Sequence, residues 1–120
     1  MATRATYSFK RENGYGCEVT VYHHWDGYLS GAADLLFNSQ TLEPVQTIEE
    51  FIRINPKTEI TPSHEFHGDT QFQYSILFIG RGEARILARE RIGFTEDWVT
   101  AFYGSLQEFI DHHYEQAIAG

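Results

Sequence analysis

The sequence predicts an α+β fold, in which an antiparallel sheet of about five strands carries helices on one face in the order β-β-α-α-β-β-β-α. Two patterns lead to this prediction. Apolar and polar residues alternate in five short segments, which is typical of half-buried strands. Two other segments begin with a capping box and continue with apolar residues at helical spacing. Because 42% of the 120 residues are hydrophobic and 15% are aromatic, we predict a single domain over residues 1–120 with one packed core.

Residues 3–10 and 17–25 are the first two predicted strands, because apolar and polar side chains alternate along both. An Asn-Gly pair lies between them and predicts a hairpin turn. A two-residue turn would place apolar residues opposite polar ones on the same face. We therefore expect a three-residue turn with Gly14 in the left-handed conformation, which places Tyr7 opposite Val19.

Two helices are expected after this hairpin. The first covers residues 30–37, with Ser30 as its N-cap. The second covers residues 47–54 and begins with a capping box formed by Thr47 and Glu50. An Asn-Pro pair follows and predicts the end of this helix, because the residue before a proline disfavours helical conformation.

The second half of the chain carries the strongest strand pattern. Residues 57–69 are polar and interrupted by proline and glycine, so we expect a loop with a short edge strand around residues 64–67. Residues 71–78 and 84–89 alternate strongly and predict a hairpin around a Gly-Arg-Gly turn. Residues 98–103 predict a further strand.

The last predicted helix starts with a second capping box, formed by Ser105 and Glu108. It carries an apolar stripe that we expect to pack across the sheet. His113 belongs to this stripe, so we predict a hydrogen-bonded histidine in the core.

The charge balance argues against generic nucleic-acid binding. Two lysines and seven arginines face seventeen acidic residues, which gives a formal net charge of −8. Duplex affinity depends on clustered cations that neutralise phosphates, so we expect no generic nucleic-acid partner. No segment approaches the roughly 18 apolar residues of a membrane-spanning helix, and the first residues do not resemble a signal peptide. We therefore expect a soluble cytoplasmic protein without a membrane partner.

Cysteine and histidine usage predicts neither a disulfide nor a metal site. Cys17 is the only cysteine, so it cannot form an intramolecular disulfide. His23 and His24 are adjacent on a strand and point to opposite faces, so this pair cannot chelate one ion. No nucleophile lies beside a base, and no glycine-rich loop joins a strand to a helix. We predict no cofactor and no metal, and we favour a binding protein over an enzyme.

The best candidate site lies at the end of the first hairpin. The predicted register brings Arg4 beside Tyr22 and diagonal to His24, with Asp26 close by on the polar face. An arginine fork binds phosphate or carboxylate, and the neighbouring Tyr28 adds a ring and a hydroxyl. This set suits a small anionic ligand. The alternative is ordinary structure, in which Arg4 and Asp26 form a surface ion pair and the Asp-Gly pair only makes a turn.

A second candidate is the basic cluster formed by Arg85, Arg89 and Arg91, which share one face of a predicted strand, with Arg81 at the preceding turn. These side chains could receive an anion or an acidic partner. The alternative is a solvated strand face that pairs with nearby glutamates.

Three short motifs occur in order: Thr-Arg-Ala at residues 3–5, Tyr-His-His-Trp-Asp-Gly-Tyr at residues 22–28, and Gly-Ala-Ala at residues 31–33. They resemble a family of small bacteriophage and prophage proteins that open with a "TRA" strand and continue with a Y-x-x-x-D-G-Y-P-x-G motif. Segments at residues 73–76 and 102–109 resemble the closing strand and helix of that family. Leu29 stands where the family has proline, and an Ala-Ala pair replaces a small polar pair, so the turn into the first helix can differ.

The resemblance implies a phage-associated setting in the host cytoplasm, where small stand-alone domains inhibit host defences. We therefore expect a binding protein that sequesters a small, nucleotide-like anion or blocks a host defence protein. One alternative is a small hydrolase or phosphodiesterase that uses His24 and Asp26. Another is a structural interaction module without a ligand. An exposed edge strand would also allow a homo-oligomer.

Overall fold

A computed structural model of the chain describes residues 3–11, 18–40, 44–66, 68–80, 83–93 and 95–119. Its strands are β1 (Ala5–Arg11), β2 (Glu18–His23), β3 (Glu59–Thr61), β4 (Phe72–Gly80), β5 (Glu83–Arg91) and β6 (Trp98–Ser105). Its α-helices are α1 (Leu29–Ser39), α2 (Pro44–Ile54) and α3 (Leu106–Ala119), and a 3-10 helix covers His64–Phe66. Within these ranges, no helix has both the length and the apolar character needed to cross a membrane.

The described strands form a six-stranded mixed sheet in the order β3-β2-β1-β4-β5-β6. The predicted α+β class, with helices on one face of the sheet, is confirmed. The predicted antiparallel arrangement is wrong for one pair, because β1 and β4 run parallel. The helices α1 and α2 lie between the first hairpin and β4, and a connection of that length allows β4 to enter beside β1 in the same direction. Alternation of side chains is identical for both strand directions, so the sequence pattern does not reveal this pairing.

The first hairpin has a different register from the predicted one. Tyr7 lies opposite Val21 and Phe9 lies opposite Val19, whereas the sequence predicted Tyr7 opposite Val19. The shift is two residues, so every side chain keeps its predicted face. The predicted turn at Gly14 lies outside the described residues.

Two of the predicted helix starts are wrong. The helix α1 begins at Leu29 after Tyr28, which occupies the N-cap without a side-chain capping hydrogen bond, so Ser30 is not the cap. The helix α2 begins at Pro44, and the predicted capping residue Thr47 therefore lies inside its first turn. Proline suits the first helical position, because the N–H that it lacks has no partner there.

The predicted capping box of α3 is confirmed. The Glu108 N–H donates to Ser105 Oγ at 3.0 Å, and the Ser105 N–H donates to Glu108 Oε1 at 3.2 Å. These hydrogen bonds lower the pKa of Glu108. His113 is buried as predicted, but its Nε2 has no hydrogen-bond partner in the described part of the chain, so this nitrogen does not make the expected hydrogen bond.

The segment between α2 and β4 differs from the prediction. The edge strand β3 occupies Glu59–Thr61 and pairs with β2. The stretch around residues 64–67, where a short strand was expected, holds the 3-10 helix instead, and residue 67 lies outside the described residues. A strand at β3 leaves the following residues free to turn back across the sheet.

Aromatic rings form the centre of the core between the sheet and the helices. The ring of Tyr7 on β1 lies 4.8 Å from that of Phe51 on α2 and 4.9 Å from that of Tyr74 on β4. Phe109 of α3 packs edge-on against Tyr74, with 6.0 Å between ring centroids. Burial of each such side chain stabilises the fold by roughly 1.5–3 kcal/mol. The helices thus cover one face of the sheet completely at its centre.

The other side of the sheet, here called the open face, carries the polar strand positions and has two parts. Over β1 and β4 it is covered by the segment that contains the 3-10 helix, and Thr6 and Gln73 are buried there. Over β5 and β6 it is uncovered, and Arg85, Arg89 and Tyr103 are exposed. Arg85 and Arg89 belong to the uncovered part, whereas Asp26 and Tyr28 follow β2 on the connection to α1.

Candidate anion-binding site

Asp69 is the centre of the first candidate cluster, although nothing in the sequence singled it out. The phenol of Tyr22 donates to its carboxylate at 2.8 and 2.9 Å. Arg4 Nε lies 3.4 Å from Asp69 Oδ2, an ion pair without hydrogen-bond geometry. Burial and the hydrogen bond to Asp69 raise the pKa of Tyr22 to about 12. In the observed register Thr6, not Arg4, lies opposite Tyr22. Arg4 and Tyr22 are nevertheless close, because both contact Asp69.

His24 also has an acidic partner. Its Nε2 lies 2.9 Å from Glu59 Oε2, and its ring packs edge-on against Tyr22 with 4.7 Å between centroids. Arg4 and His24 therefore each face a carboxylate, from Asp69 and Glu59 respectively. An incoming anion would have to displace both carboxylates, so this cluster is a poor anion site despite containing three of the predicted residues.

Asp26 does not join that cluster. Its carboxylate accepts a hydrogen bond from the Tyr28 phenol at 3.3 Å, and it forms no ion pair with Arg4 in the described part of the chain. The charge of Asp26 raises the pKa of Tyr28, which is the direction expected for a phenol beside a carboxylate. The predicted convergence of Arg4, Tyr22, His24 and Asp26 is thus only partly observed.

Backbone packing explains the Asp-Gly-Tyr segment. Asp26 adopts a positive φ of 56°, and the Gly27 N–H donates to the Thr3 carbonyl at 2.9 Å. A Cβ on Gly27 would lie 2.7 Å from Ala5 Cβ, and a Cβ on Gly31 would lie 2.2 Å from the Asp26 carbonyl oxygen. Both glycines are therefore needed for close backbone approach. The Asp-Gly-Tyr segment joins β2 to α1 and packs against the residue Thr3 that precedes β1, which is a structural role.

The arginines of β5 have different surroundings. Arg91 is satisfied, because its Nε donates to the Thr70 carbonyl at 2.7 Å and a terminal nitrogen donates to the Thr95 carbonyl at 2.8 Å. Its guanidinium also lies 4.6 Å from the ring centroid of Trp98. Arg91 therefore connects the segments that precede β4 and β6.

Arg85 and Arg89 are the exposed arginines of the same face. Within the described ranges, neither guanidinium makes an ion pair or a hydrogen bond. Arg85 lies over the ring of Tyr103, 5.7 Å from its centroid. Arg89 stands between Gln73 on β4 and Thr100 on β6. Each guanidinium has five N–H donors for a ligand.

His64 lies next to this pair and holds the 3-10 helix onto the sheet. Its Nδ1 is 2.6 Å from Thr6 Oγ1 and its Nε2 is 3.1 Å from Ser75 Oγ. Burial lowers the pKa of His64, and the positive charge of Arg89 lowers it further against the opposite effect of Glu65. The imidazole is therefore neutral at neutral pH.

The tautomer of His64 argues against a catalytic serine. Thr6 is fully buried, and in the described part of the chain its hydroxyl contacts His64 Nδ1. A buried hydroxyl whose proton has no acceptor is costly, so the Thr6 hydroxyl must donate to Nδ1. The proton then resides on Nε2, which donates to Ser75 Oγ. A general base would need Nε2 free to accept the serine proton. The Thr6–His64–Ser75 contact is thus a structural link, which we call the histidine latch.

The parallel pairing of β1 and β4 creates the histidine latch, and no sequence signal marked it. This pairing places Thr6 beside Gln73 and Ser8 beside Ser75 on the open face. The described residues contain no group of three or more His, Cys, Asp or Glu side chains arranged to hold a metal ion.

Arg4, Tyr22 and His24 thus lie together, Asp26 and Tyr28 lie together elsewhere, and Arg85 and Arg89 share the uncovered part of the open face. Comparisons with protein-family models, with curated proteins and with solved structures give no match for this chain. The geometry of these groups is therefore the basis for inferring a function.

Proposed function

We propose that this protein binds a small anionic ligand on the open face of β5, where Arg85 and Arg89 supply the positive charge. The observation that supports the proposal is that both guanidiniums are exposed and form no ion pair or hydrogen bond among the described residues. Acidic residues outnumber basic ones by seventeen to nine, and yet no carboxylate of the described residues forms an ion pair with either arginine; Arg85 acts on the Glu108 carboxylate only at longer range, where its charge lowers the pKa of Glu108.

The spacing of the two arginines suits a ligand with more than one charged or polar group. They lie four positions apart on one strand, which corresponds to about 13 Å between Cα atoms. Long arginine side chains can reach inward over half that distance. Gln73 and Thr100 flank Arg89 and add neutral hydrogen-bonding groups. Phosphate and carboxylate match the planar guanidinium fork.

Binding without turnover is the activity that the geometry favours. The hydrolase alternative needed His24 and Asp26 together, but His24 bonds to Glu59 and Asp26 bonds to Tyr28. In the phage-associated setting implied by the sequence resemblance, the protein would sequester its ligand from a host defence system.

The test is isothermal titration of inorganic triphosphate into the wild-type protein and into charge variants. Arg89→Gln removes a charge-assisted contact worth about 1.5–3 kcal/mol, so we expect affinity to fall about 10- to 150-fold. Arg85→Gln should act in the same direction. Arg53→Gln is the matched control, because Arg53 is an exposed arginine of α2 that already pairs with Glu50 at 2.7 Å.

Two results would contradict the proposal. The first is a wild-type protein that binds neither triphosphate nor other small anions, which would redirect attention to host protein partners. The second is a loss of affinity in Arg4→Gln with none in Arg89→Gln, because the site would then be the cluster around Asp69.

A further inference from the structure

Two arginine–aromatic pairs occur on the open face of β5 and β6, and they differ in one respect. The Arg91 guanidinium over Trp98 donates to two backbone carbonyls, and the Trp98 ring is half-buried. The Arg85 guanidinium over Tyr103 makes no hydrogen bond within the described residues, and 66% of Tyr103 is exposed. The first pair is therefore a structural contact, because its guanidinium already has hydrogen-bond partners. The second pair also places a guanidinium over an aromatic ring, but both groups are open to solvent.

Tyr103 lies midway between the two free arginines. It is paired with Leu87, and Leu87 lies two positions from Arg85 and two positions from Arg89 on β5. Two positions along a strand span about 6.6 Å, so each arginine Cα is roughly that far along the strand from the tyrosine. A flat group stacked in this position would have a cation on each side.

The two sides of this position differ in charge. Glu83 lies two positions beyond Arg85 on the same face of β5 and is exposed. A carboxylate there opposes a second negative charge near Arg85. Arg89 has only Gln73 and Thr100 as cross-strand neighbours, and both are neutral. The negatively charged part of a ligand is therefore favoured at Arg89, and a neutral planar part at the Arg85–Tyr103 pair.

From this arrangement we infer that the ligand is a nucleotide, whose base stacks on the Arg85–Tyr103 pair while its phosphates contact Arg89. This inference rests on the proposed anion-binding function and adds the class of ligand. Aromatic rings and guanidinium planes are the groups on which proteins stack bases. A nucleotide also supplies a planar ring and a phosphate a few ångströms apart, as the spacing of Tyr103 and Arg89 requires.

The experiment compares three probes: adenosine triphosphate, inorganic triphosphate and adenosine. Base stacking should make the wild-type protein bind adenosine triphosphate about 5- to 150-fold more tightly than inorganic triphosphate. Tyr103→Ala should abolish this difference and leave the affinity for inorganic triphosphate unchanged. Tyr103→Phe keeps the ring and should restore the difference. Tyr28→Ala is the matched control, because it removes another exposed tyrosine, 45% accessible, on the β2–α1 connection.

The outcomes separate the inference from the proposed function. Equal wild-type affinities for adenosine triphosphate and inorganic triphosphate would overturn the nucleotide inference and leave anion binding intact. Equal weakening of both probes by Tyr103→Ala would also overturn it, because Tyr103 would then act through the phosphates or the fold. A wild-type protein that binds no probe would overturn both proposals.

Discussion

Replacement of His64 by alanine tests the histidine latch, and the structure allows its cost to be worked out. The change removes hydrogen bonds to Thr6 and Ser75. Ser75 is half-buried and its hydroxyl can bond to water instead, so the loss of its hydrogen bond to His64 costs little. Thr6 is fully buried, and a stranded hydroxyl costs about 1–3 kcal/mol. With about 1 kcal/mol for lost imidazole packing, we expect the free energy of unfolding to fall by about 2–4 kcal/mol.

The assay is urea unfolding of the wild type, His64→Ala, Thr6→Val and the double variant. Thr6→Val removes the hydroxyl that His64→Ala would strand, so His64→Ala should cost less in the Thr6→Val background. A coupling of about 1 kcal/mol or more between the two changes is expected for groups in direct contact. His24→Ala serves as the control, because the partly exposed contact of His24 with Glu59 should contribute under about 1 kcal/mol.

A loss of under about 0.5 kcal/mol in His64→Ala, or a loss of the same size with and without the Thr6 hydroxyl, would refute the histidine latch. Amide hydrogen exchange supplies a second readout of the same contact. Loss of the latch should raise exchange in the 3-10 helix and leave the amides of β4 and β5 protected, because those strands keep their neighbours in the sheet.

Two further predictions concern acid stability and backbone packing. Burial lowers the pKa of His23, His64 and His113, so the unfolded chain binds more protons than the native one. The free energy of unfolding should therefore fall as pH decreases below about 6.5. Urea titrations at several pH values should show a smaller dependence on pH for His64→Gln than for the wild type. Gly31→Ala places a Cβ 2.2 Å from the Asp26 carbonyl oxygen, and thermal unfolding should show a loss of about 1–3 kcal/mol or more; an unchanged melting temperature would show that this turn can relax.

The sequence predicted which residues form strands and which face each side chain occupies, because alternation is a local property. Strand direction and register depend on the whole sheet. The sequence therefore did not predict that β4 lies parallel to β1. It also did not predict the two-residue register shift that places Tyr7 opposite Val21. The capping box at Ser105 was confirmed, since both partners lie within one turn. The box at Thr47 was wrong because proline allowed α2 to begin earlier.

The same distinction between local and long-range structure governs the candidate sites. Arg4 and His24 looked available in the sequence, but the fold brings Asp69 and Glu59 to them from 65 and 35 positions away along the chain. Arg85 and Arg89 looked equally prone to pairing with nearby glutamates. Successive residues of a strand point to opposite faces, so adjacent Glu90 lies on the other side of the sheet from Arg89.

This contrast is the physical basis for proposing a ligand site on β5. A carboxylate already in contact with an arginine must lose that contact before an anion can take its place, whereas a solvated guanidinium gives up only water. Arg85 and Arg89 are solvated guanidiniums of this kind, without a carboxylate in contact among the described residues. The order of effects in the titration experiments follows: a change at Arg89 should weaken anion binding more than the same change at Arg4, although both remove one positive charge from an acidic protein.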